Sequence, residues 1–268
     1  MAAPREKQPS LSSDFYTEEY FHDACEGFHE FNETRGQRLS RRLQAAFALA
    51  EISVGMRVLD VGCGRGEILR HCTRLGAHGC GVDYAPAAVS IARKAAAEDS
   101  LTANPVFRAD AKALPFPDSD FDRVLLFDVV EHLFPWELQK ALRQAHRVMK
   151  PDGLLVVHTA PNAWYDHYAY PFVRLFRIMC GQGAAYPSNP RALNVSANVD
   201  VHVNEQSALS LWLALRRAGF RSRVWLQNPP QNRHEPPLLA ALRKVLFAWP
   251  PFRWFFQREV FAVAWRST

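Results

Sequence analysis

The residues able to do chemistry begin at position 58, where the chain reads VLDVGCGRGE. An apolar run enters three glycines at alternate positions, Gly62, Gly64 and Gly66, with Asp60 just before the turn and Glu67 just after it. A glycine turn between a strand and a helix lets a ligand lie against backbone N–H groups, a setting that suits phosphate. The acids oppose that reading. Asp60 would repel a pyrophosphate, and the dinucleotide spacing G-x-G-x-x-G wants glycine where Glu67 stands. The Gly-Lys-Ser/Thr of a P-loop is missing. A positively charged ligand without phosphate resolves the conflict. Asp83 closes the next apolar run, GCGVD, and is placed to accept both hydroxyls of an unphosphorylated ribose.

A second set of residues could move protons. His132 follows Glu131, His158 lies within an apolar run, His167 sits in WYDHYAY, and His202 precedes Asn204. An imidazole exchanges a proton near neutral pH. A positioned base is worth about 10²–10⁴-fold when a hydroxyl must lose its proton. His132, His167 and His202 are the candidate bases, whereas His158 reads as a core histidine. The five cysteines form no C-x-x-C pair, which argues against zinc, iron–sulfur clusters and a disulfide framework. Cys63 reads as a small filler within the turn. No acidic metal cluster is apparent either, so no metal is expected.

These residues need elements to hold them. Short apolar runs at VLDVG, GCGVD, PVFRAD, FDRVLLFD and DGLLVVHTAPN alternate with helical patterns from residue 56 to 160. That rhythm is the mark of βαβ units, hence an α/β domain with a parallel sheet covered by helices on both faces. Residues 1–13 read as a disordered tail and 14–55 as an N-terminal helical lid carrying Tyr20 and Phe21. Residues 56–268 form the main domain. After the fifth strand the rhythm breaks, and 161–204 is rich in aromatics, Pro and Asn. An interruption this long is usually a lid or a binding element; Tyr165, Tyr168 and Tyr170 are candidates to line a pocket there. RSRVWLQ and EVFAVAWRS are two more strands. Between them lie a linker, 228–237, and a short amphipathic helix, 238–249.

The length of 268 residues fits one large α/β domain or two small ones. The polar N-terminus shows no secretory signal and no run of eighteen apolar residues occurs, so a cytoplasmic location is expected. Charge is uneven. From Arg216 onward ten Lys/Arg stand against Glu235 and Glu259, although the whole chain nets only +5. A basic region of this kind could meet anionic lipid or a phosphorylated substrate. Trp249, Phe252, Trp254 and Phe255 lie among its arginines. Packing beneath the last strand is the plainer expectation for these aromatics, and peripheral membrane contact is the alternative.

A phosphate-free cationic nucleoside has an obvious candidate in S-adenosylmethionine, which carries an α-ammonium, a sulfonium and one carboxylate. The motifs agree. VLDVGCGRGE resembles the first motif of the class I S-adenosylmethionine-dependent methyltransferases, and GVDY the second. RADAKALPFPDSDFD resembles the adenine segment, VLLFDVVEHL the fourth-strand motif, and RVMKPDGLLVV the helix–turn–strand after it. The likeness is to bacterial members acting on small molecules, lipids or saccharides. It implies a Rossmann-like, doubly wound, mostly parallel seven-stranded sheet with an antiparallel last strand and an acceptor-capping insertion after strand five. It also implies S-adenosyl-L-methionine as cofactor and S-adenosyl-L-homocysteine as product. By resemblance, Asp60, Gly62 and Gly64 hold the methionine part, Asp83 and Tyr84 the ribose, and Asp110 and Ala111 the adenine. Phe127 closes over the cofactor, with Tyr20 from the lid. The implied acceptor is a small or lipid-linked molecule methylated at oxygen. Strand four is followed by neither an Asp/Asn-Pro-Pro-aromatic tetrad nor a Pro-Cys pair, so nucleic acid is not expected. A catalytically silent cofactor-binding scaffold and a C- or N-directed methyltransferase remain as alternatives.

Overall fold

The computed structural model describes residues 9–98, 104–193, 195–227 and 244–267. Five strands run parallel: β1 (Arg57–Val61), β2 (His78–Asp83), β3 (Val106–Arg108), β4 (Phe121–Phe127) and β5 (Met149–Thr159). The seven-stranded order is β3-β2-β1-β4-β5-β7-β6. Strand β7 (Glu259–Arg266) is antiparallel to both its neighbours, β5 and β6 (Phe220–Gln227). The chain therefore folds as the expected Rossmann-like sheet.

The central strands are buried on both faces, which is why they read as continuous apolar runs. Alternate residues divide between two layers. Leu59, Val124, Leu126, Leu155 and Val157 face Leu138 and Leu142 of α6 (Pro135–Val148) and Leu211 and Leu215 of α9 (Ala208–Arg217). Val58, Leu125 and Val156 share the other layer with Leu43 and Ala46 of α3 (Arg41–Ala48) and Ile68 and Cys72 of α4 (Glu67–Arg74). Strand order reverses at β1 and β4, the place where open α/β sheets bind ligands, beyond the carboxyl ends of the strands.

The insertion after β5 is helical. A π-type turn, Tyr165–Ala169, leads into α7 (Tyr170–Met179), and α8 (Asn198–Val201) ends just before His202. Two expectations change. Residues 9–13, read as part of a disordered tail, are placed: the Tyr84 hydroxyl donates to the Leu11 carbonyl at 2.5 Å, and the Ser12 side chain caps the next turn. Residues 1–8 lie outside the described residues. The tail aromatics do not pack beneath β7. Phe255 and Phe256 instead pack on Tyr165, Ala169 and Tyr170 of the insertion, and Trp249, Phe252 and Trp254 stay exposed. Most of the expected linker and helix, 228–243, lies outside the described residues; 244–248 is helical.

One buried ion pair ties the N-terminal segment to the sheet. Arg65, 1% exposed, grips Glu67 with both arms of its fork, Nε to Oε2 at 3.1 Å and Nη2 to Oε1 at 3.0 Å. The same guanidinium donates to the Phe21 and Glu26 carbonyls, each at 2.5 Å, and its Cζ lies 4.9 Å from the Phe31 ring centre. These contacts seat α1 (Glu18–Asp23) and α2 (Phe28–Thr34) on the glycine turn. The Glu67 charge is thus matched internally, and the case for a cationic ligand rests on Asp60. Replacing Arg65 with Met leaves Glu67 buried and unpaired, which costs about 3–5 kcal/mol. We expect Arg65→Met to lower the midpoint of denaturant unfolding accordingly and to expose residues 14–40 to limited proteolysis. Wild-type stability and wild-type protease resistance would show the pair to be dispensable.

Candidate active site

A cavity opens at the carboxyl ends of β1, β2 and β4, and Asp60, Gly62, Gly64, Asp83, Tyr84, Asp110, Ala111, Phe127 and Tyr20 all line it. The sequence-predicted cofactor residues therefore converge on one space. The glycine turn is dictated by sterics. Gly62 has φ +77°, and a Cβ there would lie 2.5 Å from Val129 Cγ2. Its N–H and that of Cys63 donate to the Val82 carbonyl at 2.8 and 3.0 Å, which locks the turn to β2.

Asp83 accepts the Gly64 N–H on Oδ2 at 3.0 Å and the Ala85 N–H on Oδ1 at 2.9 Å. Each oxygen keeps a lone pair for a ribose hydroxyl. Burial pushes this carboxyl up, against the pull of those backbone donors. Asp60 is 3% exposed. Burial, then the charges of Asp83 and Glu67, push its carboxyl up to about 8. Asp110 receives the Lys112 N–H at 2.8 Å and the Lys112 ammonium at 3.0 Å. That ammonium also reaches Glu137 at 2.7 Å, and both residues line the cavity.

A second cavity adjoins the first across Tyr20, Asp128 and His132, and it is lined on its far side by Glu131, His202, Arg191 and Arg258. Here the insertion returns to the sheet. The N–H groups of Val203 and Asn204 donate to the Glu131 carbonyl at 2.9 and 3.0 Å, and the Asn204 side chain donates to the Leu133 carbonyl at 2.8 Å. This docking sets the His132 and His202 rings edge to face, centroids 4.9 Å apart. Burial holds both imidazoles down, His132 at about 3 with help from His202, and His202 at about 4. The His132 Nδ1 lies 3.1 Å from the Val201 carbonyl and 3.2 Å from the Tyr16 hydroxyl. A carbonyl only accepts, so Nδ1 carries the proton and Nε2 the lone pair. Glu131 is buried, its Oε2 accepts the Thr159 hydroxyl at 2.8 Å, and burial followed by the Asp128 charge pushes its carboxyl well up.

Other candidates fall elsewhere. His167 is exposed, its Nδ1 held 2.7 Å from the Ala163 carbonyl, and it lines neither cavity. The π-type turn aims it outward, so it does not join His132 and His202. Tyr165 and Tyr170 are buried in the packing of the insertion and Tyr168 is exposed, so none of the three lines either cavity. His158 is fully buried, with Nδ1 2.8 Å from Asp128. Tyr16, Lys112 and Glu137 were not singled out from the sequence. A Glu three residues after Phe134 is a helix-start signal, and the Glu137 carboxylate does accept the Phe134 N–H at 2.9 Å.

Residues 59–157 match the family described as a methyltransferase domain. A ubiquinone biosynthesis O-methyltransferase of Bartonella tribocorum is 30% identical over 141 residues, covering 51% of this chain and 56% of that protein. The chain thus spans little more than half the length of that relative. A demethylmenaquinone methyltransferase of Tropheryma whipplei is 30% identical over 191 residues, covering 68% of this chain and 73% of that protein. An S-adenosylmethionine-dependent methyltransferase structure from Mesorhizobium loti superposes with a TM-score of 0.59 at 19% identity, covering 85% of this chain and 98% of that one.

The cofactor is S-adenosylmethionine, and an α-ammonium placed beside Asp60 would need that carboxyl ionised. With burial and the charges of Asp83 and Glu67 pushing it up to about 8, the Asp60 carboxyl takes up a proton as pH falls through the neutral range. Binding a cation there must expel that proton, so affinity rises with pH. The window lies below the loss of charge of an α-ammonium near pH ~8. Between about pH 6 and 7.5 we expect log Kd to fall with a slope approaching −1 and titration calorimetry to record proton release. Asp60→Asn should flatten the slope; a flat wild-type profile would place the ammonium elsewhere. Motif order, sheet order and 30% identity across 73% of the Tropheryma whipplei enzyme converge: the chain belongs to the class I S-adenosylmethionine-dependent methyltransferases.

Proposed function

We propose that the chain transfers the methyl group of S-adenosylmethionine to a hydroxyl oxygen of a small, lipid-soluble or lipid-linked acceptor. The observation that carries this reading is the His132–His202 pair, in a cavity that opens onto the cofactor turn. A sulfonium donor is already activated, so the enzyme chiefly holds oxygen, methyl and sulfur in line, worth up to about 7–11 kcal/mol. What a hydroxyl acceptor adds is a proton to be removed. Two adjoining imidazoles provide a route for it. The ubiquinone-pathway relative is named as an O-methyltransferase, which supports oxygen as the target.

The acceptor screen follows directly: methyl-labelled cofactor against phenols, quinols, sugars and lipid extracts. With a responsive hydroxyl acceptor, His132→Ala and His202→Ala should lower kcat by about 10²–10⁴-fold and leave cofactor affinity within a few-fold. Full turnover by both variants would remove the pair from the reaction, and labelling at carbon or nitrogen would replace oxygen as the target.

The outer surface of the insertion supports a lipid-phase acceptor. On α7, Phe172 and Met179 are each 71% exposed, and Leu175, Phe176 and Ile178 are exposed beside them. Trp249, Phe252 and Trp254 extend the apolar surface, with Lys244 and Arg253 exposed among them. Soluble proteins rarely expose so large an apolar patch without a use. Aromatics mixed with basic residues suit an anionic bilayer surface. No helix among the described residues is long and apolar enough to cross a membrane, so the contact is peripheral. Sedimentation with phosphatidylcholine vesicles should require added phosphatidylglycerol and weaken with salt. Phe172→Ser with Met179→Ser should weaken it by about tenfold or more. Equal recovery with neutral and anionic vesicles, or none with either, would overturn the contact.

A further inference from the structure

The acceptor cavity holds a side-chain set that neither the cofactor nor the core requires. Among the described residues, Glu131, His132 and His202 each offer one ligand atom, and these atoms lie within 4.8 Å of one another. The sequence gives no hint of such a set, because His202 stands seventy residues beyond His132 and arrives only when α8 and the Val203–Asn204 backbone dock on Glu131. We propose that Glu131, His132 and His202 bind a divalent transition-metal cation of the zinc type, and that the acceptor hydroxyl binds at its open coordination positions. This deepens the preceding reading, gives the two imidazoles to the cation instead of to the proton, and rests on oxygen being the atom methylated.

Four observations carry it. Two imidazoles and one carboxylate are a recurring ligand set for a catalytic cation, and three protein ligands leave positions for substrate. Zinc ligands at about 2.0–2.2 Å stand roughly 3.4 Å apart in a tetrahedron, so the widest pair of this set, within 4.8 Å, needs to draw in by at most about 1.4 Å. The outer contacts already match those that orient metal ligands: the His132 Nδ1–H donates to the Val201 carbonyl, which fixes Nε2 as the lone-pair atom, and Thr159 holds one oxygen of Glu131. Finally, Nδ1 of His202 is shut off from solvent without a hydrogen-bond partner among the described residues, in a residue only 6% exposed. A buried polar atom left unpaired calls for an explanation, and a bound cation beside it supplies one.

The step balances without a redox partner. The cation lowers the pKa of the bound hydroxyl, whose proton leaves to solvent. The oxygen then attacks the methyl carbon, the O–C bond forms, the C–S bond breaks, and its electron pair stays on sulfur. The products are the methyl ether, S-adenosylhomocysteine and one proton.

The test uses the full chain, stripped with EDTA and titrated with Co²⁺ in the presence of S-adenosylhomocysteine, read by its visible ligand-field absorption. We expect one equivalent to bind with a low-coordinate spectrum, and Glu131→Gln and His202→Ala to abolish that spectrum while retaining cofactor binding and cooperative unfolding. Absence of stoichiometric binding by the wild-type chain overturns the proposal, as does an unchanged spectrum in both variants. If a variant fails to fold, Zn²⁺ competition against the wild-type cobalt signal decides: displacement supports the site, and none refutes it. Cation binding without methylation of any hydroxyl acceptor would sink the functional reading and leave the site standing. Full hydroxyl methylation by stripped protein that binds no cobalt would do the reverse.

Discussion

The constraint on which the rest of the structure depends is a carboxylate with nowhere to put its charge. Asp60 is the penultimate residue of β1 at the centre of the sheet, nearly devoid of solvent, with Asp83 and Glu67 close enough to oppose its ionisation. A buried charge is costly unless paired, and the ordinary remedy is protonation. The free protein uses that remedy. A cationic ligand beside it would replace the proton with a positive charge, so the electrostatic penalty of the empty site would favour a phosphate-free cation over a dinucleotide.

The neighbouring acids are handled differently, and the contrast shows how the site is tuned. Glu67 is gripped by Arg65, and Asp110 and Glu137 share Lys112. Arg42 stands 3.3 Å from Glu26, 3.6 Å from Glu259 and 3.9 Å from Asp128. Burial works against the Asp128 carboxylate, but His158 and Arg42 outweigh it and hold that group at about 2. Among the described residues no such ion pair reaches Asp60 or Asp83. Internal cations thus neutralise the rim and hold the N-terminal helices in place, while Asp60 and Asp83 line the cavity without such a counter-charge among the described residues. Arg65 links the two tasks, because the fork that neutralises Glu67 also anchors the segment bearing Tyr20 and Phe21.

The half of the site built by the sheet was legible in the sequence. Asp60, the glycines, Asp83, Asp110 and Phe127 all lie at or just beyond strand ends, and strand ends are fixed by apolar runs and turn residues close in the chain. The N-terminal contribution was legible only as aromatic content: Tyr20 was named, whereas Tyr16 and the ties of Arg65 to carbonyls some forty residues away were not. The acceptor half was least legible. His132, His167 and His202 look alike as letters, and the conformation of the insertion alone separates them. A π-type turn sends His167 to solvent, while hydrogen bonds to the carbonyls of Glu131 and Leu133 bring His202 to His132. All of these bonds end on backbone carbonyls, and two of the three are donated by backbone N–H groups, which leave no signature in residue identity.

This division also explains how one sheet can serve many acceptors. The cofactor half depends on backbone geometry and on one buried acid, so it tolerates little change: a Cβ at Gly62 would already collide with Val129. The acceptor half depends on where a forty-residue excursion sets down. Its landing point is held by Val203 and Asn204 on Glu131 and by the buried Asn162, whose side chain donates to the Trp254 and Gln257 carbonyls at 2.9 Å each. Asn162 joins the start of the insertion to the C-terminal segment, so the exposed aromatic surface and the histidine pair belong to one mechanically connected unit. A shift of that unit by a single residue of register would separate His202 from His132 and leave the cofactor turn untouched. The His132–His202 pairing is therefore a property of the seam between insertion and sheet, and the sheet alone does not determine it.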